Sequence, residues 1–240
     1  MAIFTPTIPQ DAQSTGSNGA ALPPPDSVRE HALDYFDARL RRARLGLFVG
    51  VTGIAMIFIS FTSAYVVRQG LPTLDPRTGT LVHDWFSIPL PGLLFINTLV
   101  LLLSSVSMEL ARRHAAREVG WERKSLVGTA AVAHDRISWL AVTVVLGLAF
   151  LAGQWVAWRE LAARGFYVAT SPSSSFIYVL TGMHGVHLLG GVVALLTAGA
   201  AVLLRRSAES RAVWLDVTGW YWHFMAVLWV YIFGLLEFVR

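Results

Sequence analysis

The chain has 240 residues, of which 55% are hydrophobic and 14% are charged, and its formal net charge at pH 7 is +4. A water-soluble domain of this size needs about a quarter of its residues charged to cover its surface, so the composition excludes an ordinary soluble protein and favours a membrane protein. The basic residues form short clusters between apolar runs, which argues against a nucleic-acid partner, and the absence of cysteine excludes disulfides, iron–sulfur clusters and thiolate metal sites.

The N-terminal part of the sequence changes character before the first long apolar segment. Residues 1–27 are rich in Pro, Ser, Gly and Thr and lack the basic start and apolar stretch of a signal peptide, which predicts a disordered tail. Residues 28–44 mix apolar and charged side chains and end in a cluster of arginines. This pattern predicts an amphipathic helix that lies on the membrane surface before the first span.

Five apolar segments follow, and each is long enough to cross a hydrocarbon layer of about 30 Å as a helix. The predicted fold is therefore an all-α membrane protein, a bundle of five transmembrane helices within residues 45–238. We expect the helices at residues 45–67, 88–110, 137–158, 175–204 and 217–236. Pro89 and Pro91 stand at the start of the second span, where a missing backbone N–H costs little.

Glycines give two of the spans small faces that predict close contacts with another helix. Gly46 and Gly50 lie on the first span, with Gly53 one turn further on. The fourth span carries a second set: Gly182, Gly185, Gly190 and Gly191.

The basic residues are distributed unevenly about the spans. Fourteen of the nineteen precede the first span or lie in the segments between the second and third and between the fourth and fifth spans. The positive-inside rule then places the N-terminus in the cytoplasm and the C-terminus on the opposite side of the membrane. An odd number of spans agrees with this orientation.

Three histidines within the spans are the main candidates for chemistry, because ionisable groups are costly to bury in lipid. His184 and His187 lie one turn apart on the fourth span and share a face with Gly182 and Gly185, and His223 lies in the fifth span. One hypothesis is a haem or metal site. Two histidines one turn apart cannot occupy opposite sides of a haem iron, however, and no Glu-x-x-His pair supplies carboxylate ligands. The favoured interpretation is neutral histidines hydrogen-bonded to neighbouring helices.

A transporter or proton pump is a further hypothesis. It would need charged residues near the middle of the membrane, helices broken by Gly or Pro, and internal symmetry, and the sequence shows none of these. Glu109 is the one formal charge within the predicted spans, at the end of the second. The pattern is typical of a structural subunit in a larger complex.

Two motifs occur in order in the last two spans. The fourth span contains Thr-Gly-Met-His-Gly-Val-His at residues 181–187, and the fifth contains the run Trp220, Tyr221, Trp222, His223 and Phe224. Together they resemble the motifs of the cytochrome c oxidase subunit III family, whose polar positions are also matched by Gln154, Glu160 and Asp216. The resemblance covers about residues 45–238 and is similar to the short bacterial form with five spans.

The resemblance implies a non-catalytic subunit III of a proton-pumping haem–copper terminal oxidase, which is an oxidoreductase and translocase of aerobic electron transport. It implies that the haems and copper bind to partner subunits, that this chain has no catalytic, cofactor or metal site, and that it supports stability, proton uptake and phospholipid binding. The implied partners are the haem–copper subunit I, subunit II, membrane lipids and a larger respiratory supercomplex. The implied location is the bacterial cytoplasmic (inner) membrane, with the C-terminus in the periplasm.

Two alternatives share this fold, namely subunit III of a quinol oxidase and an accessory subunit of nitric oxide reductase. An independent transporter is the least favoured of the alternatives. The electron donor would bind to other subunits, so the resemblance leaves the first two open.

The sequence departs from the longer family members in two respects. Those members have seven spans, and they carry a glutamate in the helix that matches the first span here, at a position occupied by Gly53 and Ile54. The acids nearest to the spans are expected at helix ends, where water can keep them ionised: Glu109, Asp216 and Glu237. The sequence therefore predicts no buried, proton-active carboxyl group in this chain.

Overall fold

The structure is a computed structural model that describes residues 25–74, 77–82, 84–122, 130–203 and 208–239. Most of these residues belong to five helices: α1 (Pro25–Gly70), α2 (Leu93–Glu122), α3 (Ala130–Ala163), α4 (Pro172–Leu203) and α5 (Ala208–Phe238). Between α1 and α2, the strands β1 (Thr73–Leu74) and β2 (Leu81–Val82) pair antiparallel, with Thr73 opposite Val82. All five helices in the described ranges are long and apolar enough to cross a membrane, which confirms the predicted fold.

The described residues fall into two units, which divide between Asp37 and Ala38. In the first unit only the start of α1 is described, and residues 1–24 of the predicted disordered tail lie outside the described residues. Helix α1 continues without a break through Arg44, where the predicted surface helix ends. Residues 28–45 contain neither Gly nor Pro that could end a helix. The position of residues 28–44 on the membrane surface stays a prediction.

The helices differ in length from the apolar segments that predicted them. Helix α2 begins at Leu93 rather than at residue 88, because each proline before it disfavours a helical conformation in the residue that precedes it. Its first turn is closed by the N–H of Leu94, which donates to the C=O of Pro91 at 3.0 Å. At its other end α2 continues to Glu122, since polar residues prolong a helix after the apolar pattern has ended.

Helices α2 to α5 form the packed core. Helix α2 packs against α3 and α5, and α4 packs against the same two helices. Trp222 and Trp229 on α5 are the largest fully buried side chains of the described part of the chain. Helix α1 differs, because none of its described Cα atoms lies within 8 Å of a Cα atom of another described helix. Phe58 and Tyr65 are the only buried side chains among its described ones.

Close contacts between helices occur at glycines on α3 and α4. A Cβ atom added at Gly147 would lie 2.8 Å from the ring of Trp222, and one added at Gly191 would lie 3.0 Å from the ring of Tyr221. The close contact predicted for the fourth span is therefore present at Gly191. At Gly46, Gly50 and Gly53 no other described helix lies within 4 Å of an added Cβ atom, so the described part of this chain does not make the contact predicted for the first span.

Candidate functional site

Trp222 of the fifth-span motif is held by a buried chain of hydrogen bonds. Its indole Nε1–H donates to Ser104 Oγ at 3.1 Å, and Ser104 donates to the C=O of Thr143 at 3.1 Å. The hydroxyl groups of Ser107 and Thr143 lie 2.8 Å apart. All four residues are at most 4% exposed. The chain of bonds therefore joins α2, α3 and α5 where no water competes for the polar groups.

A second set of bonds lies two turns further along α5. The Nε1–H of Trp229 donates to Thr98 Oγ1 at 2.9 Å, and Asn97 Nδ2 donates to the C=O of Phe150 at 3.0 Å. Asn97 reaches this carbonyl because Gly153 has no side chain, and a Cβ atom there would lie 2.2 Å from Asn97 Oδ1. The polar residues of α2 thus bind α5 on one side and α3 on the other.

The histidines of the motifs have different partners. His223 Nδ1 lies 2.6 Å from Ser105 Oγ on α2, and its Nε2 lies 3.4 Å from Glu109 Oε2. His187 Nδ1 lies 2.8 Å from the C=O of Met183 on its own helix. Hydrogen bonding to a neighbouring helix is therefore present for His223, whereas the ring of His187 bonds within α4.

His184 is completely buried between aromatic rings. Its ring centroid lies 5.8 Å from that of Phe150 and 5.0 Å from that of Trp229. Neither of its ring nitrogens has a hydrogen-bond partner among the described residues. Gln154 is 3% exposed, and its Oε1 also lacks a partner in this part of the chain. The hydrogen bonds predicted for His184 are thus not found, and two buried polar side chains of the motifs remain unsatisfied.

Five charged side chains meet at the end of the bundle where α5 begins. Glu109 accepts hydrogen bonds from Arg112 at 2.9 Å and from Arg113 at 2.8 Å along α2. Asp216 on α5 accepts from Arg44 on α1 at 2.8 Å and from Arg112 at 3.2 Å. Arg112 therefore bridges the two carboxylates. We call these five residues the ion cluster, and it connects α1, α2 and α5.

The two acids of the ion cluster lie further inside their helices than the sequence predicts. Helix α2 continues to Glu122, well beyond Glu109, and α5 begins about two turns before Asp216. Their side chains are 24% and 14% exposed, so guanidinium groups as well as water balance their charge. The spacing of Glu109 from the arginines on α2 is visible in the sequence, but Arg44 and Asp216 are 172 positions apart and share no local pattern.

The remaining motif residues of α5 lie toward its neighbours. The ring of Trp220 lies 5.6 Å from the guanidinium carbon of Arg112, and the hydroxyl of Tyr221 donates to the C=O of His187 at 2.9 Å. Phe224 contributes to a groove of about 470 Å³ between α1 and α5. The groove is lined by Arg44, Leu47, Phe48, Val51, Trp220, His223, Phe224 and Val227. Its walls are mainly apolar and its cationic side chain is Arg44, which suits an amphiphilic molecule.

The other motif residues lie near the end of α3. Glu160 forms an ion pair with Arg164 one turn further on, and both side chains are 39% exposed. Gly182 of α4 lies in ordinary contact with the Trp158 ring, 3.7 Å from an added Cβ atom, and the same measure at Gly185 is 4.0 Å to a leucine of α3. These residues therefore contribute to helix packing and to a surface ion pair.

A second attachment of α1 was not indicated by the sequence. Arg68 near its end forms an ion pair with Asp84 at 2.6 Å, and the guanidinium lowers the pKa of that carboxyl group. Beside this pair, the Tyr65 ring packs edge-on against Trp85 and Phe176, with centroids 5.0 and 5.7 Å away. Helix α1 is thus held by side chains near both ends of its apolar part.

The arrangement is chemically suited to packing and to binding an amphiphile. Among the residues with described positions, no group of three or more His, Cys, Asp or Glu side chains could hold a metal ion. The polar side chains instead link helices, as in the bonds at Trp222 and in the ion cluster. The groove beside Arg44 is large enough to accept a ligand of substantial size.

Comparisons with known proteins agree with the motifs. The family model described as "Cytochrome c oxidase subunit III" matches residues 38–238. A relative from Mycobacterium leprae, "Probable cytochrome c oxidase subunit 3", is 29% identical over 227 residues, which cover 95% of this chain and 98% of the relative. "Cytochrome c oxidase subunit 3" of Triticum aestivum is 28% identical over 215 residues, 87% of this chain and 73% of the relative. The protein of the same name from Danio rerio is 29% identical over 195 residues, 79% of this chain and 67% of the relative.

Proposed function

Because the chain belongs to the cytochrome c oxidase subunit III family, we propose that it supports a haem–copper oxidase without binding haem or copper itself. Its family makes it subunit III of such an oxidase, a multi-pass membrane protein that associates with the other oxidase subunits. The observation that carries the non-catalytic role is the use of the motif histidines. His223 bonds to Ser105 on α2, and the His187 ring packs edge-on against Phe58 of α1 with ring centroids 5.9 Å apart, so these rings take part in helix packing.

The proposed partners are the haem–copper subunit I, subunit II and, through the assembled oxidase, a larger respiratory supercomplex. Large apolar side chains remain exposed on α1, and lipid or a partner subunit must cover them. They include Leu45, Phe48, Val49, Met56, Ile59 and Val67. In this role the chain maintains the activity of subunit I during turnover and supports proton uptake.

The groove between α1 and α5 is the proposed phospholipid site. An acyl chain would lie along Phe48 and Phe224, and the phosphate would lie at the Arg44 end. Filling the groove by Val227→Trp should reduce the phospholipid that copurifies with the oxidase, as measured by mass spectrometry. Val230→Trp is the control, since Val230 is also exposed on α5 but does not line the groove. Equal lipid content in the two variants would reject this site.

The proposed location is the bacterial cytoplasmic membrane, with the N-terminus in the cytoplasm and the C-terminus in the periplasm. The support is the positive-inside rule, because fourteen of the nineteen basic residues lie on one side. The chain has no cysteine, so single cysteines can be introduced at Thr78, Gly120 and Ser207 without interference. A membrane-impermeant thiol reagent applied from outside should label only the cysteine at position 78. Labelling of the cysteine at position 120 would show that the orientation is the opposite of the proposed one.

Removal of this subunit tests the proposed function directly. The oxidase without it should retain its haem absorption bands and copper content, because the metals bind elsewhere, but should lose activity faster during turnover. Replacing His184, His187 and His223 in the intact complex should also leave the haem spectrum unchanged. Loss of a haem band while subunit I remains present and folded would show that the non-catalytic role is wrong.

A further inference from the structure

Two buried side chains of the helix bundle have polar atoms without partners in the described part of the chain. These atoms are Oε1 of Gln154 on α3 and both ring nitrogens of His184 on α4. The side chains are 3% and 0% exposed, so bulk water does not reach them. An unmade hydrogen bond in such a place is costly, and native proteins satisfy nearly all of their buried polar groups.

The contacts between α3 and α4 place Gln154 and His184 at the same level. Trp158 Nε1 on α3 donates to Thr181 Oγ1 on α4 at 3.0 Å. The two helices are antiparallel, since Gly147, about three turns before Trp158, lies against Val192, about three turns after Thr181. From the Trp158–Thr181 bond, Gln154 lies about 6 Å along α3 and His184 about 4.5 Å along α4 in the same direction. Their levels therefore differ by about 1.5 Å.

The two residues also lie on the faces where the helices meet. Gln154 lies four residues from both Phe150 and Trp158, which share its face of α3. Phe150 packs against the His184 ring, and Trp158 bonds to α4. Gln154 is therefore between two residues that contact α4, one of which contacts His184 itself.

The unsatisfied atoms are chemically complementary. A buried neutral imidazole has one N–H donor and one nitrogen acceptor, and the Oε1 of glutamine is an acceptor. No direct hydrogen bond joins the two side chains. A water molecule can accept from the His184 N–H and donate to Gln154 Oε1, which satisfies one ring nitrogen and the amide oxygen. We propose that one ordered water molecule is bound between Gln154 and His184 and links α3 to α4 in the interior of the bundle.

The first experiment is a density map of the unmodified, intact oxidase at a resolution that shows ordered water. A peak should lie about 2.6–3.2 Å from Gln154 Oε1 and from one ring nitrogen of His184. The absence of a peak, or a direct hydrogen bond between the two side chains, would overturn the proposal. This experiment needs no variant and does not depend on the proposed function.

The second experiment is a double-mutant cycle in the intact oxidase, with release of this subunit by denaturant as the measurement. Gln154→Met and His184→Phe should each promote release, because each leaves a buried polar partner unsatisfied. The equilibrium constant for release of the double variant should be about three- to thirtyfold smaller than the product of the two single effects predicts, because neither polar partner then remains unsatisfied. His187→Phe is the matched control, and its effect should multiply with that of Gln154→Met. If the effects of Gln154→Met and His184→Phe on the release constant simply multiply, the two side chains do not share a water molecule.

Discussion

Gly147 lies so close to Trp222 that one added methyl group should destabilise the bundle. A Cβ atom there would lie 2.8 Å from Cη2 and 2.9 Å from Cζ2 of the indole. Carbon atoms in protein interiors pack at about 3.5–4.0 Å, so Gly147→Ala requires a displacement of about 0.7 Å or more. The ring has little freedom to move, because its Nε1–H is bonded to Ser104 and another of its edges lies against Gly191.

The magnitude follows from two opposing terms. Overpacking of a well-packed core costs about 1–3 kcal/mol, whereas replacing glycine by alanine within a helix gains about 1 kcal/mol. Gly190→Ala isolates the second term, since Gly190 is also helical and has no described atom within 4 Å of an added Cβ. The unfolding free energy of Gly147→Ala should therefore be about 1–3 kcal/mol below that of Gly190→Ala.

The assay is an SDS titration of the purified full-length chain in mixed micelles, with helix content followed by circular dichroism. The expected difference corresponds to about 5- to 150-fold in the unfolding equilibrium constant. Equal transition midpoints for Gly147→Ala and Gly190→Ala would refute the close contact between α3 and the Trp222 ring.

Three further predictions concern the charged residues. A hydrophobic carbodiimide should label this subunit weakly at neutral pH, because Glu109 is ion-paired with arginines, and strong labelling mapped to Glu109 by mass spectrometry would reveal a protonated, lipid-facing acid instead. Asp216→Asn should lower the unfolding free energy by about 1.5–3 kcal/mol, because the change removes the charged partner of two arginines. Glu160→Gln should lower it by less than about 1 kcal/mol, because the ion pair of Glu160 is exposed. Equal losses in the SDS titration would contradict this ranking. The hydrogen bond from Arg68 lowers the pKa of the Asp84 carboxyl group. The stabilisation from this ion pair is therefore complete above the unfolded-state pKa of about 3.9 and is lost as the pH falls through the folded-state pKa. Hydrogen-exchange protection of residues 68–86 should fall on acidification, and unchanged protection would refute the link.

The helices could be predicted from the sequence because a lipid-spanning chain must satisfy its backbone hydrogen bonds internally, and about 20 apolar residues then have few structures other than a helix. The ends were less predictable. The hydropathy pattern ends near residue 110, but α2 continues to Glu122 because helix propensity does not depend on lipid. Helix α2 begins at Leu93, later than the apolar pattern predicts, because Pro89 and Pro91 each disfavour a helical conformation in the residue before them. Either proline alone would be acceptable in a first turn.

The site could be predicted as a set of residues but not as a set of contacts. The motif identified Trp222, yet its partner Ser104 lies 118 positions away and one serine among several on that span carries no signal of the bond. The sequence carries no signal for the contacts of Gly147 and Gly153, since glycine is common in membrane helices and its role depends on the side chain opposite. His187 was expected to bond across helices, but a carbonyl four residues earlier on its own helix is within reach.

The attachment of α1 to α5 has a consequence for biosynthesis. The Arg44–Asp216 pair spans 172 positions, and the hydroxyl of Tyr65 donates to the C=O of Val239 at 3.3 Å across 174 positions. At about 5–20 residues per second, a ribosome takes roughly ten to thirty-five seconds to make this length of chain. Of the attachments of α1, the Arg68–Asp84 pair can form early because 16 positions separate the two residues, whereas the contacts with Asp216 and Val239 form last. During that interval Arg44 cannot yet pair with Asp216, and the glycine face of α1, which the described part of this chain does not cover even in the finished fold, is open to other membrane helices.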